Sequence, residues 1–232
     1  MKEESSKLHS GIRFSLGFVA ILWFIKAIEL ASSLDFAVLG IYPRTLMGSV
    51  GIITGPLIHG DVSHLLSNSI PLLALLIGLF YFYKPIALRV FILVYVMTGI
   101  WVWFAARSAY HIGASGLVYG LISFLLMSGF LRRDIKSLTV SFIVLILYGG
   151  NMFYGIIPGD SDVSWESHLL GAIAGIFCAF YFKNVIVFDS DEPEKETLFE
   201  TKNYFTGSNI HSYQINKDQK PRTYTYKLKN KK

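Results

Sequence analysis

The chain has 232 residues, of which 53% are hydrophobic and only 16% charged, where a soluble domain carries roughly 25% charged residues. The apolar residues come in long blocks, which excludes an ordinary soluble domain and defines a membrane-embedded protein. The net charge of +5 lies largely in a polar tail and short polar loops; no basic stripe with interleaved aromatics marks a nucleic-acid binder, so the charge points to anionic lipid headgroups.

Residues 1–11 are polar and of mixed charge and read as a cytoplasmic N-terminal segment. Residues 12–34 form the first apolar segment, which contains Lys26 and Glu29 near its end. It is longer than the ~7–15-residue core of a cleaved leader and reads as a retained membrane helix. Residues 35–63 are too broken by Gly and Pro for a span and too apolar for a solvated loop, so they are expected to lie half-sunk at the outer interface. Five more spans of about 20 residues follow, at 64–82 (with Pro71 expected to kink it), 86–106, 112–131, 138–157 and 165–186. The fold class is therefore all-α, a six-helix membrane domain over residues 12–186. Residues 187–232 form a polar tail ending "YKLKNKK", expected to be disordered and cytoplasmic. Cys178 is the only cysteine, so neither an internal disulfide nor a cysteine metal cluster can form.

Lys/Arg asymmetry sets the orientation. One side carries Lys2, Lys7, Arg13, Lys84, Arg89, Arg132, Arg133, Lys136 and Lys183; the other carries Arg44 and Arg107 and a loop with Asp160, Asp162 and Glu166. The first side is cytoplasmic, and both termini lie there.

The second, fourth and sixth segments all start on the outer side, and their first turns hold the unusual polar residues: His64 and Asn68, Ser115, and His168. Ser115 follows residue 112 by three positions and His168 follows Trp165 by three, which at ~1.5 Å per residue predicts similar shallow depths. Polar groups at membrane depth face the bundle interior and find partners. Each one alone has a bland explanation: a back-bonded serine, a packed histidine, an interhelical asparagine. Three at one level point to chemistry. The fourth segment carries Gly113, Gly116 and Gly120 and the sixth carries Gly171 and Gly175, small-residue faces that let two helices approach closely. A serine hydroxyl and a histidine nitrogen need such an approach, to ~3 Å, before a proton can pass.

These residues resemble the rhomboid family of intramembrane serine proteases. "GASGLVYG" is similar to the family's GxSGxxxG, "HGDVSHLLSN" to its HxxxxHxxxN and "SHLLGAIAG" to its AHxxGxxxG, in that order along the chain. The resemblance implies a rhomboid-like bundle with Ser115 as nucleophile, His168 as general base, and His64 and Asn68 with the Ser115 N–H as oxyanion donors. It implies supporting roles for Tyr119, which stacks on the base, and for Gly113, Gly116, Gly171 and His59. Arg44 in "YPR" is similar to a Trp-Arg element of the first outer loop, although the tryptophan is missing. Ser167 stands where the family has Ala.

Glu166 is expected to point away from His168, giving a dyad rather than a triad. The expected substrates are other transmembrane helices, cut near their outer ends in a bacterial cytoplasmic membrane; admission is expected beside the fifth segment, where Gly149 and Gly150 are followed by Asn151, Phe153 and Tyr154. No cofactor or metal is implied, since no HExxH occurs. The partners are substrate helices and the lipid bilayer. The alternative is a non-proteolytic rhomboid-like scaffold that binds transmembrane segments.

Overall fold

In a computed structural model of the chain, residues 2–158, 164–187, 212–214 and 223–225 are described. The unit Met1–Phe188 is a helical bundle. Helix α1 spans Lys2–Ser32 and so takes in the polar N-terminal residues, which were expected to stand apart from the first span. Glu4 in its opening turn complements the positive end of the helix dipole.

The stretch before the second span is a series of tight turns: 3₁₀ turns at Phe36–Leu39, Met47–Ser49 and Gly55–Leu57, with the short helix α2 at Gly51–Thr54. Leu46 and Met47 are 87% and 83% exposed, so the loop turns apolar side chains outward, as a segment sunk in a lipid interface must. Helix α3, Val62–Phe82, starts on the Asp61 carboxylate, which accepts from the His64 N–H at 2.8 Å, and runs on through Pro71. Helices α4 (Ala87–Ala105), α5 (Ser115–Arg132), α6 (Ile135–Ile156) and α7 (Trp165–Phe182) complete the bundle. Among the described residues five helices are long and apolar enough to cross a membrane, and α6 adds an apolar stretch at Ile135–Gly150.

Helix α5 lies at the centre of the bundle. Its face toward α7 is built from glycine: a Cβ at Gly171 would overlap the Gly116 carbonyl, and one at Gly175 would overlap the Gly120 carbonyl. With no side chain between them, the two backbones touch. Leu65, Leu72, Leu76 and Leu79 of α3 and Val90 and Val94 of α4 close the core around this seam. At the opposite end of the bundle from Ser115, Arg132 donates to the carbonyls of Phe182 and Val185, both at 2.6 Å, and so caps the C-terminus of α7.

In the tail unit, Asp189–Lys232, Ser212–Gln214 pairs antiparallel with Thr223–Thr225. The expectation of disorder for the rest of the tail lies outside the described residues.

Candidate active site

The fourth span was expected to begin at residue 112. The helix begins at Ser115 itself, because the three residues before it are held in another conformation. Gly113 has φ of +101°, a region that residues with a Cβ avoid, and its N–H donates to the Gly55 carbonyl at 3.0 Å. The Ala114 N–H donates to His59 Nε2 at 3.3 Å. His111 exchanges two backbone hydrogen bonds with Ile41, at 2.8 and 2.9 Å. The chain is thus anchored at three points just before the serine. Ser115 occupies the first helical position, not one turn inside, so the equal-depth argument gives way to a simpler one: the serine sits at the positive end of α5.

His168 lies one turn into α7. Its Nδ1 is 2.8 Å from the Gly155 carbonyl, and its ring stacks on Tyr119 with centroids 4.2 Å apart and planes 3° from parallel. A carbonyl only accepts, so Nδ1 carries the proton and Nε2 holds the lone pair. Tyr119 follows Ser115 by four residues, on the same face of α5 and about 6 Å along it. His168, stacked on Tyr119, lines the same cavity as Ser115.

His64 stands on the other flank: a Cβ placed on Gly113 would meet its Cε1 and Nε2 at 2.7 Å, so that edge of the ring lies against the backbone leading to Ser115. Asn68 is buried and donates one amide N–H to the His64 carbonyl at 2.9 Å. Ser115, Tyr119, His168, His64 and Asn68 all line one open cavity of about 830 Å³. His59 lies behind His64, 5.1 Å between ring centroids and 1% exposed. Burial first, and then the neighbouring His64 and Lys26 charges, lower the His59 imidazole from 6.5 to about 4, so the ring is neutral and free to accept from Ala114. Glu166 turns from His168 to Arg107, whose Nη1 is 3.6 Å from its Oε2 and whose backbone N–H lies 3.4 Å from its Oε1. Asp160 and Asp162 lie outside the described residues, as do the side chains of Asn151, Phe153 and Tyr154.

Gly155 was not singled out by the sequence, and Lys26 and Arg44 were named there without the partners the structure gives them. A Cβ on Gly155 would overlap the Tyr119 hydroxyl and lie 3.0 Å from His168 Nδ1, so only a glycine fits there without displacing the stacked pair. The signal was a glycine at the C-terminal end of its segment, near Gly149 and Gly150, which make no such contact. Lys26 is buried and donates to Glu29 at 2.7 Å and to the carbonyls of His59 and Gly60, each at 2.9 Å. A charge inside a span predicted a partner; that the partners were the turn before α3 was visible only in three dimensions. Arg44, despite the missing tryptophan, donates to the Ala106 carbonyl at 2.8 Å and to Ser108 Oγ at 3.2 Å, tying the loop between α1 and α3 to the end of α4.

This architecture is that of a multi-pass helical membrane protein with a polar chamber at one end of its bundle. The Rhomboid domain family matches residues 47–185. An uncharacterized protein of Mycobacterium tuberculosis is 35% identical over 179 residues, covering 71% of this chain and 72% of that protein, and one of Mycobacterium bovis matches to the same extent. One from Mycobacterium leprae is 34% identical over 177 residues, 71% of this chain and 68% of its own length. No solved structure matches. The chain belongs to the rhomboid family.

Proposed function

We propose that the protein is an intramembrane serine endopeptidase that cuts the transmembrane helices of single-span proteins near their outer ends, with both of its termini in the cytoplasm. The observation that carries this reading is the His168 ring, fixed by Gly155 and Tyr119 in the tautomer of a base and stacked on the face of α5 that begins with Ser115.

In this mechanism His168 Nε2 takes the Ser115 proton as Oγ bonds to the scissile carbonyl carbon. The carbonyl π electrons move to oxygen, and the resulting oxyanion accepts from the Ser115 N–H, from His64 and from the second amide N–H of Asn68. His168 then passes its proton to the departing amine, leaving an acyl-enzyme. Water in the cavity hydrolyses that ester by the same steps in reverse roles. The Gly155 carbonyl and the Tyr119 ring take the orienting part that a carboxylate plays in a triad. The cavity is also lined by Ser67 and Pro71 of α3 and by Leu147 and Tyr148 of α6, which supports admission of a helix between α3 and α6. A substrate must unwind to expose a peptide bond, which favours helices with Gly or Pro near the outer end.

The test is labelling with a fluorophosphonate probe together with cleavage of a panel of single-span reporters. Wild type labels and cuts, while Ser115→Ala and His168→Ala lose at least about 10³-fold. A folded wild type that neither labels nor cuts overturns the proposal and favours a helix-binding scaffold.

A further inference from the structure

His111 opens the stretch that contains Ser115, yet no step of the mechanism uses it. Its ring is 2% exposed and makes two hydrogen bonds whose directions can be assigned. Nε2 is 3.0 Å from the Arg107 carbonyl, which only accepts, so Nε2 carries the proton. Nδ1, 2.6 Å from Ser164 Oγ, must then accept from that hydroxyl. The one hydroxyl hydrogen of Ser164 points to the ring, so in its 2.7 Å contact with Ser167 the Ser167 hydroxyl donates. Ser164 is also the N-cap of α7, accepting from the Ser167 N–H at 3.3 Å, and its carbonyl accepts from the His168 N–H at 3.3 Å.

The chain of bonds therefore runs from the backbone before the nucleophile, through an imidazole and two hydroxyls, to the first turn of the helix that carries the base. Arg107 and Glu166 form a second tie between the same two segments. Burial holds the His111 imidazole below its ordinary value, with the Arg107 carbonyl and Glu166 pulling the other way, and the uncharged ring keeps its acceptor nitrogen toward Ser164. His111 is fixed on its other side by its backbone pairing with Ile41.

We infer that His111 is a positioning residue for the Ser115–His168 pair: through the Ser164 hydroxyl it sets where the first turn of α7 stands relative to the loop that delivers Ser115. The inference rests on the proteolytic reading above. It concerns the acceptor at Nδ1, not the bulk of the ring, and so separates from a packing role. His111→Phe keeps a ring and loses the acceptor. His111→Asn places an amide oxygen near the position of Nδ1 and restores it. Ser164→Ala removes the donor from the other side.

The experiment uses the full chain and one reporter that wild type cuts, with fluorophosphonate labelling rates alongside. His111→Phe and Ser164→Ala are expected to lower kcat and the labelling rate about 10–30-fold, with KM within about 2-fold, because a small displacement of the base costs rate rather than substrate binding. The double variant is expected to be no slower than the slower single one, since both break the same bond. His111→Asn is expected within about 3-fold of wild type. Wild-type rates in both single variants, additive losses in the double, or His111→Asn as slow as His111→Phe would each overturn the inference while wild-type labelling leaves the proteolytic reading standing. A wild type that does not label removes that reading and the inference with it.

Discussion

The seam between α5 and α7 and the middle of α6 are both apolar helix surface, yet they are built for opposite ends. At the seam, Gly116 and Gly120 meet Gly171 and Gly175 with backbone on backbone, and Ala174 and Cys178 are fully buried alongside. Along α6, Phe142, Ile143, Leu145, Ile146 and Leu147 are all exposed. The N-terminal half of α6 is fastened, with Ser141 Oγ donating to two α5 carbonyls at 2.8 and 2.9 Å, whereas its last turn gives the site one carbonyl, that of Gly155. In a bilayer there is no hydrophobic gain in bringing two apolar helices together, so association follows from close packing. Small residues hold the serine helix and the histidine helix at fixed separation. Large ones leave the middle of α6 facing away from the bundle, while Leu147 and Tyr148 line the cavity.

The largest effect expected from this contrast is at the seam. Gly171→Val or Gly175→Val drives a side chain into a backbone carbonyl that cannot move aside, and should cost on the order of 4 kcal/mol or prevent folding, read as thermal denaturation in detergent. Near-native stability in either variant would mean that the seam is not the rigid part.

Next comes acid. His59 supports the loop before Ser115 by accepting from the Ala114 N–H, and its imidazole is lowered to about 4. The folded chain therefore binds fewer protons than the unfolded one between about pH 6.5 and 4. The stability is fully present above about pH 6.5 and is lost as pH falls toward about 4, by roughly 3 kcal/mol at most. Replacing His59 by Gln should flatten that part of the melting curve against pH.

A smaller effect is expected where α6 touches the site. Gly155→Ala must push on the Tyr119 hydroxyl and on His168, and should lower kcat about 10-fold with little change in melting temperature. An unchanged kcat would remove the orienting role assigned to that carbonyl's turn. The smallest effect is at Gly150, where an added Cβ meets nothing within 4 Å. Gly150→Ala should change stability by no more than about 1 kcal/mol, in the stabilising direction that helix propensity favours, and leave cleavage intact.

Much of the candidate site could be read before any coordinates. Histidine, asparagine and serine are rare enough in apolar runs that their positions stood out, and the glycine spacing named the two helices that touch. The start of α5 was misread by three residues because the apolar pattern continues back to residue 112, while the conformation there is set by Gly113, Gly55 and His59. Residues 2–11 looked like a separate polar segment because polarity marks where a span ends, not where a helix does. Gly155 and the His111–Ser164 bond were hidden for the same reason: a glycine or a serine at a helix end has many ordinary uses, and only the neighbour across space selects one.

By itself, then, the order of residues determined that the chain is built of long apolar helices and which side chains are capable of chemistry, since lipid imposes length and hydropathy on each segment separately. Which nitrogen of His168 bears its proton, and how the turn before Ser115 is held, were decided by contacts between segments far apart in the chain. Those are hydrogen bonds to backbone carbonyls and amides, and every residue type presents a carbonyl, so no pattern of side chains announces which one will be used.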